Sequence, residues 1–297
     1  MLYSEPPVGP APILQVINSA RHEVDLGVYY LSDRKILRAL AAARRRGVEV
    51  RVIIEGRPYG MAPWRIEKEE KAIAATGARW KVAPHRFTDQ GRSYSFYHAK
   101  YCASGHETEI GTANFDWSAF HKNREYLYVT QKPAVVQAVH AVFKADWSNR
   151  RAPYFAHQAL VLSPGSTRDL IQVIDQPGPV DVESEELGPY APILQALAAK
   201  GRDLRLILPD SLDGADQRDV AYLRAQGCQV RLLPKKPLYL HAKMMVGQQL
   251  AFVGSENFTQ TSLEANREMG VLLNGKVIGE LQVQFAQDWA RARPGIR

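Results

Sequence analysis

Cysteine is scarce. Cys102 and Cys228 are the only two in 297 residues, and they form neither a CxxC pair nor a zinc-ligand spacing. That excludes a disulfide-stapled scaffold and a cysteine-based metal or redox centre, leaving two reduced core thiols as the reading. No apolar run reaches membrane-spanning length, so no transmembrane segment is expected. The opening MLYSEPPVGPAPILQ lacks a basic segment followed by an apolar stretch, so no secretory leader is expected and the cytoplasm is the expected location. No cluster of carboxylates or His/Cys with metal-ligand spacing stands out, so neither metal nor cofactor is expected.

What is present is ordinary in amount and uneven in place. Hydrophobic residues make up 45% and charged residues 23%, enough for one large domain or two of common size, and too apolar for wholesale disorder. The net charge is +7, and residues 1–150 carry all of it, with 22 Lys and Arg against 15 Asp and Glu. Such asymmetry points to an anionic partner, nucleic acid or an anionic lipid surface, unless it is only a solvated basic face.

The chain is written twice. ILQVIN at 13–18 echoes LIQVID at 170–175, EVDLGVYYL at 23–31 echoes PVDVESEEL at 179–187, and VRVIIEG at 50–56 echoes LRLILPD at 204–210. NREYLYV at 123–129 echoes NREMGVL at 266–272, and FKADW at 143–147 echoes FAQDW at 285–289. Each copy reads as an α/β unit. β-branched runs at Val24–Tyr30, Val48–Glu55, Val180–Ser184 and Leu204–Leu208 predict strands. Ile36–Arg46 and Ala215–Gln226, each followed by glycine, predict helices. The expected fold is two similar α/β lobes, mixed sheets flanked by helices, related by a pseudo-two-fold axis. The expected division is 1–150 and 151–297, joined through the polar segment SNRRAPYFAH at 148–157.

One polar set recurs at fixed spacing. His98 and Lys100 are two apart, as are His241 and Lys243; on a strand that puts both side chains on one face. Asn114 follows His98 by 16 residues and Glu125 follows Asn114 by 11; Asn257 and Glu268 repeat both intervals after His241. Thr112 stands where Ser255 stands.

This pattern resembles the phospholipase D superfamily, whose signature is HxKx4D followed by GSxN, twice in a chain or once in each half of a dimer. The matches are His98-Ala99-Lys100 with Gly111-Thr112-Ala113-Asn114, and His241-Ala242-Lys243 with Gly254-Ser255-Glu256-Asn257. The motif Asp is missing from both copies, where Gly105 and Gln248 stand. The resemblance implies a metal-independent phosphodiesterase working through a covalent phosphohistidine. A neutral imidazole attacks phosphorus, and a protonated one hands its proton to the leaving oxygen. Two roles with opposite protonation states account for two copies of the motif. The family's usual order makes His98 the nucleophile and His241 the acid, but the sequence environments are nearly symmetric and the reverse assignment stays open. Lys100, Lys243, Asn114 and Asn257 would hold the non-bridging oxygens. Glu125 and Glu268 would each accept an N–H from a histidine. Thr112 and Ser255 would add hydroxyl donors to substrate. Both copies lie in one chain, so a monomer is expected to hold a complete site.

The substrate is less legible. The segment HRFTDQGRSYSFY at 85–97 interleaves Arg86 and Arg92 with Tyr94 and Phe96, a mixture that suits a strand of nucleic acid. With the basic excess of the first half, this makes a nuclease the leading expectation. A phospholipase D or phosphatidyl transferase acting on phospholipid headgroups is the alternative, and an inactive phosphate-binding module the third.

Overall fold

The structure, a computed structural model, describes residues 1–88 and 94–294. Each half of the chain builds one large mixed sheet. The first runs, edge to edge, Leu2–Ser4, Tyr126–Thr130, Thr108–Gly111, Lys100–Ser104, Glu23–Val28, Glu49–Ile54, Arg79–Val82. The second runs Val161–Ser163, Glu268–Leu273, Ala251–Gly254, Lys243–Val246, Val180–Ser184, Leu204–Pro209, Gln229–Leu233, and adds Arg293–Pro294 beyond. Position by position this is the same order, so the expected pair of similar α/β lobes is what the chain forms. In each lobe the strand carrying the lysine lies antiparallel to the first parallel strand, and the registers correspond: Lys100 opposes Val28 and Lys243 opposes Ser184.

Local chemistry sets the elements. The helix Arg34–Arg45 starts two residues before its apolar pattern because the Asp33 carboxylate accepts from the amides of Lys35 and Ile36. It ends where Gly47 takes a φ of +85°, a conformation glycine adopts without strain. Asp213 and Gly227 frame the helix Gly214–Ala225 in the same way. The strand expected over Val24–Tyr30 stops at Val28, freeing Tyr29 to turn away from the ladder. The segment expected as a linker is partly helical, over Tyr154–Ala159.

The lobes meet through reciprocal contacts. Arg124 forks onto Asp288 at 2.7 and 2.9 Å, and Arg267 forks onto Asp146 at 2.9 and 3.1 Å. Each pair joins an arginine of one lobe to an aspartate of the other, and all four residues are buried. Exchange of the same contact in both directions is the mark of a two-fold relation. One apolar cluster lies within each lobe, while a third draws Tyr101, Tyr126 and Phe143 from the first lobe together with Met244, Val271 and Phe285 from the second.

Candidate active site

Both histidines precede their strands and hang on the opposite lobe. The His98 amide donates to the Arg267 carbonyl at 2.8 Å, and the His241 amide to the Arg124 carbonyl at 3.3 Å. The side chains cross over too. His98 Nδ1 lies 2.9 Å from Glu268 Oε2, and His241 Nδ1 lies 2.8 Å from Glu125 Oε1. A carboxylate on Nδ1 fixes the tautomer and leaves Nε2 as the reacting nitrogen. Sequence spacing placed a glutamate near each histidine; the structure draws it from the other repeat.

Each glutamate is itself braced. Glu268 accepts from Ser262 Oγ at 2.6 Å and Asn266 Nδ2 at 2.9 Å; Glu125 accepts from Thr112 Oγ1 at 2.5 Å and Asn123 Nδ2 at 3.1 Å. Asn123 and Asn266 open the two NRE triplets, a signal present in the repeat but not used in the site reading. All three residues of each triplet act here. The asparagine steadies the glutamate, the arginine ties the lobes, and the glutamate holds the far histidine.

Thr112 and Ser255 hold backbone in this structure. Both are fully buried, and their oxygens accept from the amides of Tyr126 and Met269 at 2.9 Å. In this structure they fasten the strand at or next to each glutamate. Lys100 and Lys243, both with no exposed surface, donate Nζ to the carbonyls of their own histidines at 2.5 and 2.6 Å. Asn257 donates Nδ2 to Glu186 at 3.3 Å, whereas Asn114 makes no side-chain hydrogen bond among the described residues.

Burial and charge tune these groups. Burial pushes His98 down to about 4, against the pull of Glu268 and with help from Lys100. Burial also lowers Lys100, to about 7, opposed chiefly by Glu268. Glu268 stays below the usual carboxylate range despite burial, because His98 and Lys100 sit beside it.

Two cavities open at the site, one lined by His98 and the other by Glu185 and Tyr239 beside His241. One, of about 350 Å³, is walled by Tyr29, Tyr59, Tyr94, Phe96, His98 and Asn257. The other, of about 360 Å³, is walled by Glu185, Glu186, Asp213, Asp216, Ser211 and Tyr239. Glu186 and Thr259 border both. Tyr94 and Phe96, singled out in the sequence, therefore reach the site. Arg86 does not: its guanidinium goes to Asp146 at 2.9 Å and to the Arg150 carbonyl at 2.6 Å, because a buried carboxylate needs counter-charge. Arg92 lies outside the described residues. Tyr29, Tyr59, Glu185 and Glu186 carried no repeat-matched signal and went unread.

The positions of the missing motif aspartates are exposed turn tips. Ser104 and Glu107 close the turn at Gly105, and Gln176 closes the one at Gln248, accepting from the amides of Gln249 and Leu250 at 2.9 and 2.7 Å. Glu23, Asp25 and His140 bring ligand atoms within 4.8 Å of one another. Arg51 bridges both carboxylates at 2.7 Å, supplying the positive charge a cation would bring. No described helix is long and apolar enough to cross a membrane.

The family described as cardiolipin synthase, phospholipase D-like domain, matches residues 13–147 and 187–289. A cardiolipin synthase of Listeria welshimeri is 29% identical over 136 residues, 45% of this chain and 26% of the relative. The chain thus matches about a quarter of the length of that curated relative. Among solved structures, a phosphatidylserine synthase of Haemophilus influenzae has a TM-score of 0.72 at 11% identity, covering 98% of this chain and 85% of its own. A polyphosphate kinase of Porphyromonas gingivalis has a TM-score of 0.69 at 14% identity, covering 96% of this chain and 49% of its own.

Proposed function

The chain belongs to the phospholipase D superfamily, and from that membership we propose that it cleaves the headgroup phosphodiester of phospholipids through a phosphohistidine. In the first step a histidine Nε2 attacks phosphorus while the other imidazole protonates the departing headgroup oxygen. In the second, water or an alcohol gives its proton to that imidazole, its oxygen attacks phosphorus, and the P–N bond breaks.

The lining of the two cavities carries the choice of substrate. A nucleic-acid strand brings a phosphate at every nucleotide and is held by Lys and Arg along its track. Among the described residues neither cavity is lined by Lys or Arg. One wall is aromatic and the other is acidic: Glu185 stays anionic, held at about 2, while burial raises Glu186 to about 7 and Asp216 to about 6, so the wall carries negative charge that disfavours further phosphates. A single phosphodiester fits, with acyl chains or a cationic alcohol beside it. Tyr59 and Tyr94, 72% and 57% exposed, offer amphipathic rings at the mouth for a lipid interface. The basic excess that favoured nucleic acid is partly structural: Arg44 donates to the carbonyls of Gly77 and Val48, and Arg46 to that of Ile17.

The test is turnover in excess EDTA of phosphatidylcholine vesicles, phosphatidylglycerol vesicles and single-stranded DNA, with glycerol as alternative acceptor. Headgroup release or exchange is expected, and no DNA cleavage. DNA cleavage without lipid turnover would overturn the reading.

A further inference from the structure

The pseudo-symmetry duplicates the crossed histidine–glutamate contacts, but not the residues that flank the two lysine-bearing strands. Lys100 opposes Val28 and Lys243 opposes Ser184, so the following residues, Tyr29 and Glu185, hold equivalent places. Tyr29 sets its ring edge-on to His98, with centroids 4.7 Å apart, and lies 5.4 Å from Lys100 Nζ. Glu185 sets a carboxylate there instead: Oε2 is 2.7 Å from Lys243 Nζ and 3.3 Å from His241 Nε2. Tyr239 donates its hydroxyl to the other oxygen at 3.3 Å.

The consequences differ for the two rings. His98 faces Glu268 at Nδ1, Lys100, Lys243 and the Tyr29 ring, with Glu185 acting on it from farther off; among the described residues Glu268 is the one carboxylate in ion-pair range of it. His241 faces Glu125, Glu185, Lys243 and Tyr239, with a carboxylate on each ring nitrogen. Two carboxylates close to one ring, against one close to the other, place more negative charge beside His241 than beside His98 and favour its charged form.

Resting on the phosphohistidine reading, we propose that Tyr29 and Glu185 break the symmetry of the site and divide its labour. Tyr29 keeps His98 the neutral nucleophile, and Glu185 keeps His241 charged as the acid. The Nε2 lone pair of His98 forms the P–N bond, the bond from phosphorus to the headgroup oxygen breaks, and that oxygen takes the Nε2 proton of His241. Glu185 stays on Lys243 while the leaving oxygen takes its place at His241 Nε2. Burial would raise the Glu185 carboxyl, but His241 and Lys243 overcome it and hold it at about 2, so the anion persists across the working range. Glu185 acts through His241 and is a positioning residue.

The test locates the covalent adduct. The full chain is mixed with dihexanoylphosphatidylcholine, quenched in alkaline denaturant, which spares a phosphoramidate, and mapped by mass spectrometry. The wild type is expected to carry the adduct on His98. The double exchange Tyr29→Glu with Glu185→Tyr is expected to carry it on His241. An adduct on His241 in the wild type, or one that stays on His98 after the exchange, overturns the proposal. A wild type that turns over the probe with no adduct on either histidine removes the phosphohistidine reading itself, and the division of roles with it. Should the exchange fail to fold, Glu185→Gln keeps the shape and removes the charge. Its rate at pH 8.5, relative to pH 6.5, is expected to fall roughly tenfold below the wild-type ratio. An unchanged pH profile overturns the role of Glu185.

Discussion

Replacing Glu268 with glutamine isolates what its charge does. The carboxylate is fully buried and accepts from His98 Nδ1, Ser262 Oγ and Asn266 Nδ2. Glutamine keeps the shape but loses the negative charge, and its amide nitrogen must face one of those donors. In the proposed mechanism, attack on phosphorus leaves positive charge on the His98 ring, which Glu268 would balance. A hydrogen bond to a charged group contributes about 1.5–3 kcal/mol. Withdrawn from the transition state, that is a fall in kcat of roughly 10- to 150-fold. Glu268 lines neither cavity, so KM should stay within about threefold, as expected of a group felt mainly in the transition state. The assay is choline release from dihexanoylphosphatidylcholine at pH 7, with thermal denaturation as a control for folding. A kcat within about threefold of wild type, in a folded variant, would refute the reasoning.

Three further outcomes follow from the same geometry. Asp146→Asn leaves the buried Arg267 guanidinium without its counter-charge; a loss of about 3–5 kcal/mol is expected, a drop in melting temperature of about 6–20 °C, and a scan within two degrees or so of wild type would contradict it. With His98 as the neutral nucleophile proposed above, and burial holding it at about 4, the acid limb of kcat/KM should fall near pH 4. Because burial lowers that group below the ordinary histidine range of about 6.5, the unfolded chain takes up its proton first, and stability should decline as pH falls from there through about 4; a limb near 6.5 or a flat stability curve would count against it. Restoring the motif aspartate through Gly105→Asp and Gln248→Asp places charges on exposed turn tips, so activity and stability should stay within about twofold and about 0.5 kcal/mol, and a large gain in rate would show that those turns reach the chemistry.

Much of this molecule is legible in its sequence because repetition acts as an internal control. The strands and helices recur in order, and the fold follows from one repeat as well as from two. The histidines, lysines, asparagines and glutamates stand out because their spacing holds while the residues between them change. Spacing cannot say which glutamate meets which histidine, since Glu125 lies at the same interval whether it serves His98 or His241. Thr112 and Ser255 carried donors at the right interval, and only their burial against the next strand shows what those oxygens hold. Net charge alone does not choose a substrate, because a count does not separate an unengaged arginine from Arg44 and Arg46, which are exposed yet donate to backbone carbonyls. Tyr29 and Glu185 were invisible for the opposite reason: comparison of the repeats registers likeness, and their importance lies in being unlike.

The crossing of glutamate to histidine has a consequence for how such a site can diverge. If the two halves were separate identical chains, every residue would appear on both sides of the axis, and a tyrosine beside one histidine would be a tyrosine beside both. Joining the halves in one polypeptide removes that bond between them. Each position in the shared framework can then mutate on one side alone, while the crossed carboxylates oblige the halves to stay docked for either imidazole to work. The covalent linkage permits the difference, and the exchanged contacts prevent it from drifting into independence.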